Sequence, residues 1–166
     1  LTKQQKHYIN RINDSANSLL GIINDILDIS KIEAGKLVID KSDFDLFKII
    51  ENVVNLIEVK AYDKNIDLIV DYDLKLGKKY YGDSLRISQI FLNLLSNAVK
   101  FTHEGEITII VKEIDNNHIR FVVKDSGIGM SKSQVEKVFD AFTQADSSIT
   151  KKYGGTGLGL TITKNL

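Results

Sequence analysis

The first 34 residues carry apolar side chains at Ile9, Ile12, Ala16, Leu19, Ile23 and Ile26, a 3-4-3-4-3 spacing. That is a heptad seam, and Leu20 and Leu27 widen it toward a second partner. Lys3, Gln4, Arg11, Asp14, Asn17 and Asp25 fill much of the remaining surface, and Gly35 is placed to stop the helix. A helix from residue 2 to about 34 would be roughly 48 Å long at ~1.5 Å per residue. That exceeds what a small domain can cover, so such a seam calls for a partner outside the domain.

The chain has 166 residues in all, enough for one domain and an appendage. Lysine plus arginine and aspartate plus glutamate both total 22, so the net charge is zero. This argues against bulk electrostatic attachment to nucleic acid or an anionic membrane. There is no cysteine, which excludes disulfides, thiolate metal sites and a cysteine nucleophile. No apolar run approaches the ~18 residues of a membrane span.

Beyond the long helix the periodicity changes repeatedly. Residues 37–40 read as a short strand. Phe44 to Ala61 has a helical period through Phe47, Ile50, Val54 and Ile57, and Ile66 to Tyr72 reads as a strand. Asp83 can cap a helix from Ser84 to about Lys100, with Ile87, Ile90, Leu94 and Leu95 inward. Ile107 to Ile114 and Ile119 to Lys124 are β-rich runs joined by Asp115-Asn116-Asn117, a hairpin signal. Residues 126–155 are rich in glycine, serine, threonine and lysine, with a helical patch near Gln134 to Phe139, and a final helix begins around Thr156. Helices mixed with antiparallel strands indicate an α+β chain with helices on one face of a sheet.

Three segments carry chemistry. Gln89, Asn93, Asn97 and Lys100 fall at i, i+4, i+8 and i+11 and share one helix face. Carboxamides and an ammonium in a row suit a hydrated Mg²⁺ and its phosphates, and equally the polar face of an amphipathic helix. Asp125-Ser126-Gly127-Ile128-Gly129-Met130 puts a carboxylate and two glycines at a strand's exit. A flat ligand could approach the backbone there, and a plain turn reads the same way. Gly154 to Leu160 (GGTGLGL) opens the last helix with the backbone amides of an anion site. It lacks the Gly-Lys-Ser/Thr of a Walker loop and the feeding strand of a dinucleotide fingerprint.

In order and spacing, these segments resemble the sensor histidine kinases of two-component systems. The likeness is to the catalytic ATP-binding domain of the Bergerat-fold superfamily. It rests on an Asn-box NLLSNAVKFT, a glycine box DSGIGM, a phenylalanine box Phe139-Asp140-Ala141-Phe142, a lid QADSSITKKYGGTGLGL and a second glycine box within it. SLLGIINDILDISKIEAGKL, from Ser18, is similar to the second helix of the dimerisation and phosphotransfer domain.

The resemblance implies a two-layer α/β sandwich with a mixed sheet, its C-terminal strands missing, preceded by one long dimerisation helix. Residues 1–36 would be part of the dimerisation domain and residues 37–166 the ATP-binding domain. It implies that Asn97 coordinates Mg²⁺, that Asn93 lies near metal and phosphate, and that Lys100 contacts phosphate. Asp125 would accept from the adenine amine, with Gly127 and Gly129 lining the pocket. Phe139 and Phe142 would anchor the lid. Gly155, Thr156, Gly157, Leu158 and Gly159 would close the triphosphate site, with Lys151 or Lys152 reaching the γ-phosphate. The activity implied is transfer of the ATP γ-phosphoryl group to a histidine, in a cytoplasmic segment of a parent protein, membrane-anchored or not, that dimerises and passes phosphate to a response-regulator receiver domain.

The phosphoacceptor box of that family contains a proline, and this chain has none. His7, His103 and His118 therefore read as structural or solvent-facing, and the acceptor is expected outside the chain. The alternatives are an ATP hydrolase of the same fold, which would need a glutamate where Asn93 stands, and a non-catalytic nucleotide-binding or dimerisation module.

Overall fold

The computed structural model describes residues 1–115, 118–141 and 157–166, the side chain of Asp14 excepted. Helix α1 (Lys3–Glu33) opens on a capping box. Thr2 accepts from the Gln5 amide at 3.2 Å, and the Gln5 side chain accepts from the Thr2 amide at 2.9 Å. It ends as Gly35 was expected to end it. At φ +63° this residue donates to Ile32 while Lys36 donates to Lys31, closing two of the orphan carbonyls.

The remaining elements are β1 (Ser42–Asp45), α2 (Leu46–Tyr62), β2 (Ile66–Tyr72), β3 (Lys79–Gly82) and α3 (Ser84–Phe101). They continue with β4 (Gly105–Asp115), β5 (His118–Asp125), α4 (Lys132–Lys137) and α5 (Gly159–Asn165). Asp45 and Asp83 cap α2 and α3 by accepting from Lys48 N at 3.2 Å and Arg86 N at 3.0 Å.

The main sheet has the order β2-β4-β5. It is mixed: β2 runs parallel to β4 from Ile66↔Gly105 to Tyr72↔Val111, and β5 runs antiparallel from Ile107↔Asp125 to Asp115↔His118. Ile107, Ile109 and Val111 alternate along β4 and are fully buried. They meet Leu46, Ile50, Val53, Ile57 and Ala61 of α2 and Phe91, Leu95, Ala98 and Val99 of α3. Period 2 on the strand and period 3.6 on the helices thus supply the two faces of one core.

Two expectations need correction. Residues 37–40 form no strand: Val38 is exposed, and the chain crosses to the core with Asp40 N bonded to the Asp83 carboxylate at 3.1 Å. The strand lies at Ser42–Asp45, taking in Phe44, because only there does the chain meet β3, which had not been anticipated. Four-residue strands carry too little pattern to be read without their partner. The helical phase was also slightly turned. Phe91 occupies the core place given to Ile90 and Leu94, which are half-buried. Phe47 lies outward, edge-on to Tyr72 at 5.4 Å.

Candidate functional site

Helix α3 is the backbone of the site. Its polar row divides into three parts with different partners. Near the N-terminal end, Gln89 donates to the Asp28 carboxylate of α1 at 2.9 Å and accepts from Arg86 at 2.7 Å. Gln89 therefore faces the long helix rather than a ligand. One turn on, Asn93 Nδ2 donates to the carbonyl of Gly159 at 3.1 Å and lies 3.5 Å from Thr163 Oγ1. The amide packs against Gly159 so closely that a Cβ there would stand 3.3 Å from Asn93 Cγ. Glycine at 159 thus lets the Asn-box touch the start of α5, and Leu158 and Ile162 anchor that helix in the interior.

At the C-terminal end the Phe101 carbonyl accepts from Ile128 N at 3.2 Å, docking the loop after β5. Gly127 fits under this contact only because it has no side chain: a Cβ would fall 2.6 Å from the Phe101 oxygen. Asp125, at the last rung of β5 opposite Ile107, accepts from Gly127 N through Oδ1 at 2.9 Å. Its side chain is exposed, and nothing else among the described residues bonds the carboxylate. Gly129 comes next at φ +66°, a conformation that favours glycine. Ser126 locks the loop to the sheet: its amide donates to Glu106 O at 3.1 Å and its hydroxyl accepts from Glu106 N at 3.0 Å.

Between the two docking points lie Asn97 and Lys100. Asn97 is half-buried and makes no side-chain hydrogen bond among the described residues. Lys100 is half-buried with its ammonium 4.8 Å from the Phe101 ring centre, and burial holds its pKa below the usual lysine value. Among the described residues no group of three or more His, Asp or Glu side chains could hold a metal. The described residues therefore supply no protein-only cation cage. The single carboxamide of Asn97 is compatible with Mg²⁺, which commonly keeps most of its ligands from phosphate and water.

The structure therefore brings Asn93, Asn97, Lys100, Asp125, Gly127, Gly129 and Gly159 onto or beside one helix. Gly157, at φ +71°, and Leu158 lie at the entrance to α5. Phe139 is tied to the same helix, its carbonyl accepting from Thr161 Oγ1 at 3.0 Å and its ring 5.9 Å from the Lys164 ammonium. Phe142, Lys151, Lys152, Gly155 and Thr156 lie outside the described residues. Sequence reading missed Gly105, whose φ of +112° and closeness to Ser126 Oγ make glycine necessary beneath the loop. It also missed the Asp28–Arg86 ion pair, 2.7 Å between residues far apart in sequence.

Comparison with known proteins identifies relatives of the chain. The family model described as "Histidine kinase-, DNA gyrase B-, and HSP90-like ATPase" matches residues 82–166, just over half the chain, and that described as "His Kinase A (phospho-acceptor) domain" matches residues 1–35. The chain is 46% identical over its whole length to hybrid signal transduction histidine kinase B of Dictyostelium discoideum, of which it covers 9%. The structure of full-length ShkA in complex with AMPPNP superposes with a TM-score of 0.81 at 30% identity, over 99% of this chain and 34% of that one. Histidine kinase ThkA in complex with response regulator protein TrrA gives 0.63 at 29% identity, over 92% of this chain and 45% of that one. The chain belongs to the histidine kinase-, DNA gyrase B- and HSP90-like ATPase family, on its sensor histidine kinase branch. It spans less than a fifth of the length of the curated relatives it matches.

Proposed function

We propose that residues 37–166 bind ATP with Mg²⁺ and donate its γ-phosphoryl group to a histidine outside this chain. Residues 1–36 would form part of the dimerisation and phosphotransfer domain of the same sensor kinase. The observation that carries this is the convergence on α3: Asn93 holds the start of α5, the Phe101 carbonyl holds the Asp125–Gly127 loop, and Asn97 and Lys100 stand between them.

In this reading Asp125 accepts the exocyclic amine of adenine, with Gly127 and Gly129 giving the ring access to the backbone. Guanine would set a carbonyl oxygen against the carboxylate, and covering that exposed charge with a base that cannot donate to it would cost about 2–4 kcal/mol. Lys100 and Asn93 would face the phosphates. The lid residues Phe142, Lys151, Lys152, Gly155 and Thr156 would close over them up to Gly157, and Leu158 and Gly159, anchored against α3, would bound the triphosphate site from the start of α5. Asn97 is the residue that would hold Mg²⁺, whose charge neutralises phosphate oxygens when bound. The bond from the γ-phosphorus to its bridging oxygen breaks as one to an imidazole nitrogen forms. The work left to this chain is positioning and charge neutralisation. Hydrolysis would need a base to activate water, and Asn93 is a carboxamide already donating to Gly159.

AMPPNP, the ligand named with ShkA, is an ATP analogue, which supports the choice of nucleotide. A receiver domain is the proposed downstream partner, as ThkA is found with a response regulator. The exposed seam of α1 suits a second copy of the chain. No helix among the described residues is long and apolar enough to cross a membrane. We place the segment in the cytoplasm, where ATP is available.

The test is nucleotide binding by calorimetry and thermal shift. Mg-ATP should raise the melting temperature and GTP should do so far less. Asp125→Asn keeps an oxygen to accept from Gly127 N, so the loop should hold while ATP binding is lost. Wild-type affinity in that variant would overturn the adenine assignment. With a phosphoacceptor domain added, labelled phosphate should move to histidine, whereas rapid phosphate release without an acceptor would favour a hydrolase.

A further inference from the structure

The turn between α2 and β2 contains the lysine that completes the C-terminal end of α3. The Lys64 ammonium donates to three carbonyls there: Val99 at 2.6 Å, Lys100 at 3.2 Å and Thr102 at 3.2 Å. These bonds engage all three of its protons. The carbonyl it skips, Phe101, is the one that accepts from Ile128 N in the glycine loop. The last carbonyls of α3 are thus shared between one side chain and one loop, and α3 is the helix that bears Asn97 and Lys100. A positive charge at a helix C-terminus also opposes the negative end of the helix dipole. The lysine's own place is set by its turn: Lys64 N donates to Ala61 O and Asn65 N to Tyr62 O, both at 3.0 Å, with Asn65 left-handed at φ +54°.

We propose that Lys64 is a positioning residue of the nucleotide site, holding the end of α3 so that Phe101 O can dock the Asp125–Gly127 loop beside Asn97 and Lys100. The assignment rests on the nucleotide reading above. Its ammonium is engaged by backbone oxygens, so Lys64 acts through these neighbours and not on phosphate. Without it, the carbonyls of residues 99, 100 and 102 would have to turn outward to find water. That movement would carry the Phe101 carbonyl away from Ile128 and spread the two sides of the site.

Lys64→Met removes the donors and keeps most of the aliphatic stem, and Lys64→Arg restores donors. Two readouts are needed: the dissociation constant for Mg-ATP by calorimetry, and hydrogen exchange at the amides of Ile128 and of Ile109 in the central strand. Lys64→Met should weaken Mg-ATP binding about tenfold, because the loop would be docked in only a fraction of the molecules. Ile128 exchange should quicken while Ile109 stays protected, and Lys64→Arg should regain most of the affinity. Unchanged affinity in Lys64→Met, with the wild type binding, would overturn the Lys64 assignment alone. So would a loss that appears only together with lost protection at Ile109, since that is general destabilisation. A wild-type chain that binds no Mg-ATP would overturn the nucleotide reading and this assignment with it. If Lys64→Met does not fold, Lys64→Gln, neutral but still a donor, is read by the same two measurements.

Discussion

Helices α1 and α3 are both amphipathic, and they use their apolar stripes in opposite ways. In α3, Phe91, Leu95, Ala98 and Val99 are buried against the sheet, Leu95 with 1% of its surface exposed. In α1 the seam lies open: Ile12 is 68% exposed and Leu19 58%. Among the described side chains of α1 the one that is buried is a charge, Asp28, at 8%. Its carboxylate receives Arg86 at 2.7 Å and Gln89 at 2.9 Å from α3. One helix is thus held to the body by apolar contact along its length, whereas the other leaves its seam open, packs on α5 and reaches α3 through a polar clamp near its end. A stripe read from sequence tells that a helix needs a partner and leaves open which molecule supplies it. For α1 the partner best suited is another helix with a matching seam.

The contrast between the two helices can be broken most forcefully in the core. Phe91→Ala should cost about 3–5 kcal/mol by leaving a cavity against Phe121, whose ring stands edge-on at 5.2 Å. Leu19→Ala should change the stability of the isolated chain by less than about 0.5 kcal/mol. Urea denaturation measures both, and equal losses would mean that α1 packs on the core in solution.

Asp28→Ala should cost about 1–3 kcal/mol, because it removes the only carboxylate paired with Arg86 among the described residues and leaves Gln89 as its remaining acceptor. Hydrogen exchange should show the loss concentrated in α1. Burial raises the Asp28 pKa, but the hydrogen bonds from Arg86 and Gln89, with the charges of Arg86 and Lys31, outweigh it and bring it below 3.8. A depressed carboxyl stabilises the fold above its unfolded value, so the clamp should be intact at neutral pH. It should open only as pH falls below about 4, through the lowered value. An acid titration of α1 exchange in wild type, flat in Asp28→Ala, checks the sign.

Lys100 sharpens the view of α3 at its other end. Its folded pKa is lowered from 10.5 by burial, and binding a phosphate should raise it again. Mg-ATP affinity should therefore fall as pH climbs toward and through that lowered value, and Lys100→Met should flatten the profile while weakening binding at pH 7. The smallest effect is expected at Thr102, fully buried, whose hydroxyl finds no partner among the described residues. Thr102→Val should be neutral or stabilising by up to about 1 kcal/mol in thermal melts. A clear loss would mean the hydroxyl is engaged.

Much of the site could be read in advance because it is written in local rules. Asp83 before a helical period is a cap whatever surrounds it, and Gly35 ends α1 by its own conformational freedom. Asn93, Asn97 and Lys100 fall on one face by the helix period alone. The strands β1 and β3 were not legible, since four residues acquire a pattern only when paired. Gln89 was grouped with the site because periodicity gives a face and not its neighbour. Lys64 carried no signal at all: a lone lysine in a turn reads as a solvated charge until the end of α3 is placed against it.

By itself the sequence determined the local grammar of this protein: which segments are helical or extended, where most of them stop, and which polar residues recur on a common side. Tertiary structure alone decided what those sides meet. Asn93 against Gly159, the Phe101 carbonyl against Ile128, Asp28 against Arg86 and Lys64 against α3 each join residues 27 to 66 positions apart. Backbone torsions and side-chain period act over a few residues. Hydrogen-bond partners across such spans are chosen only when burial of the apolar core brings the elements together.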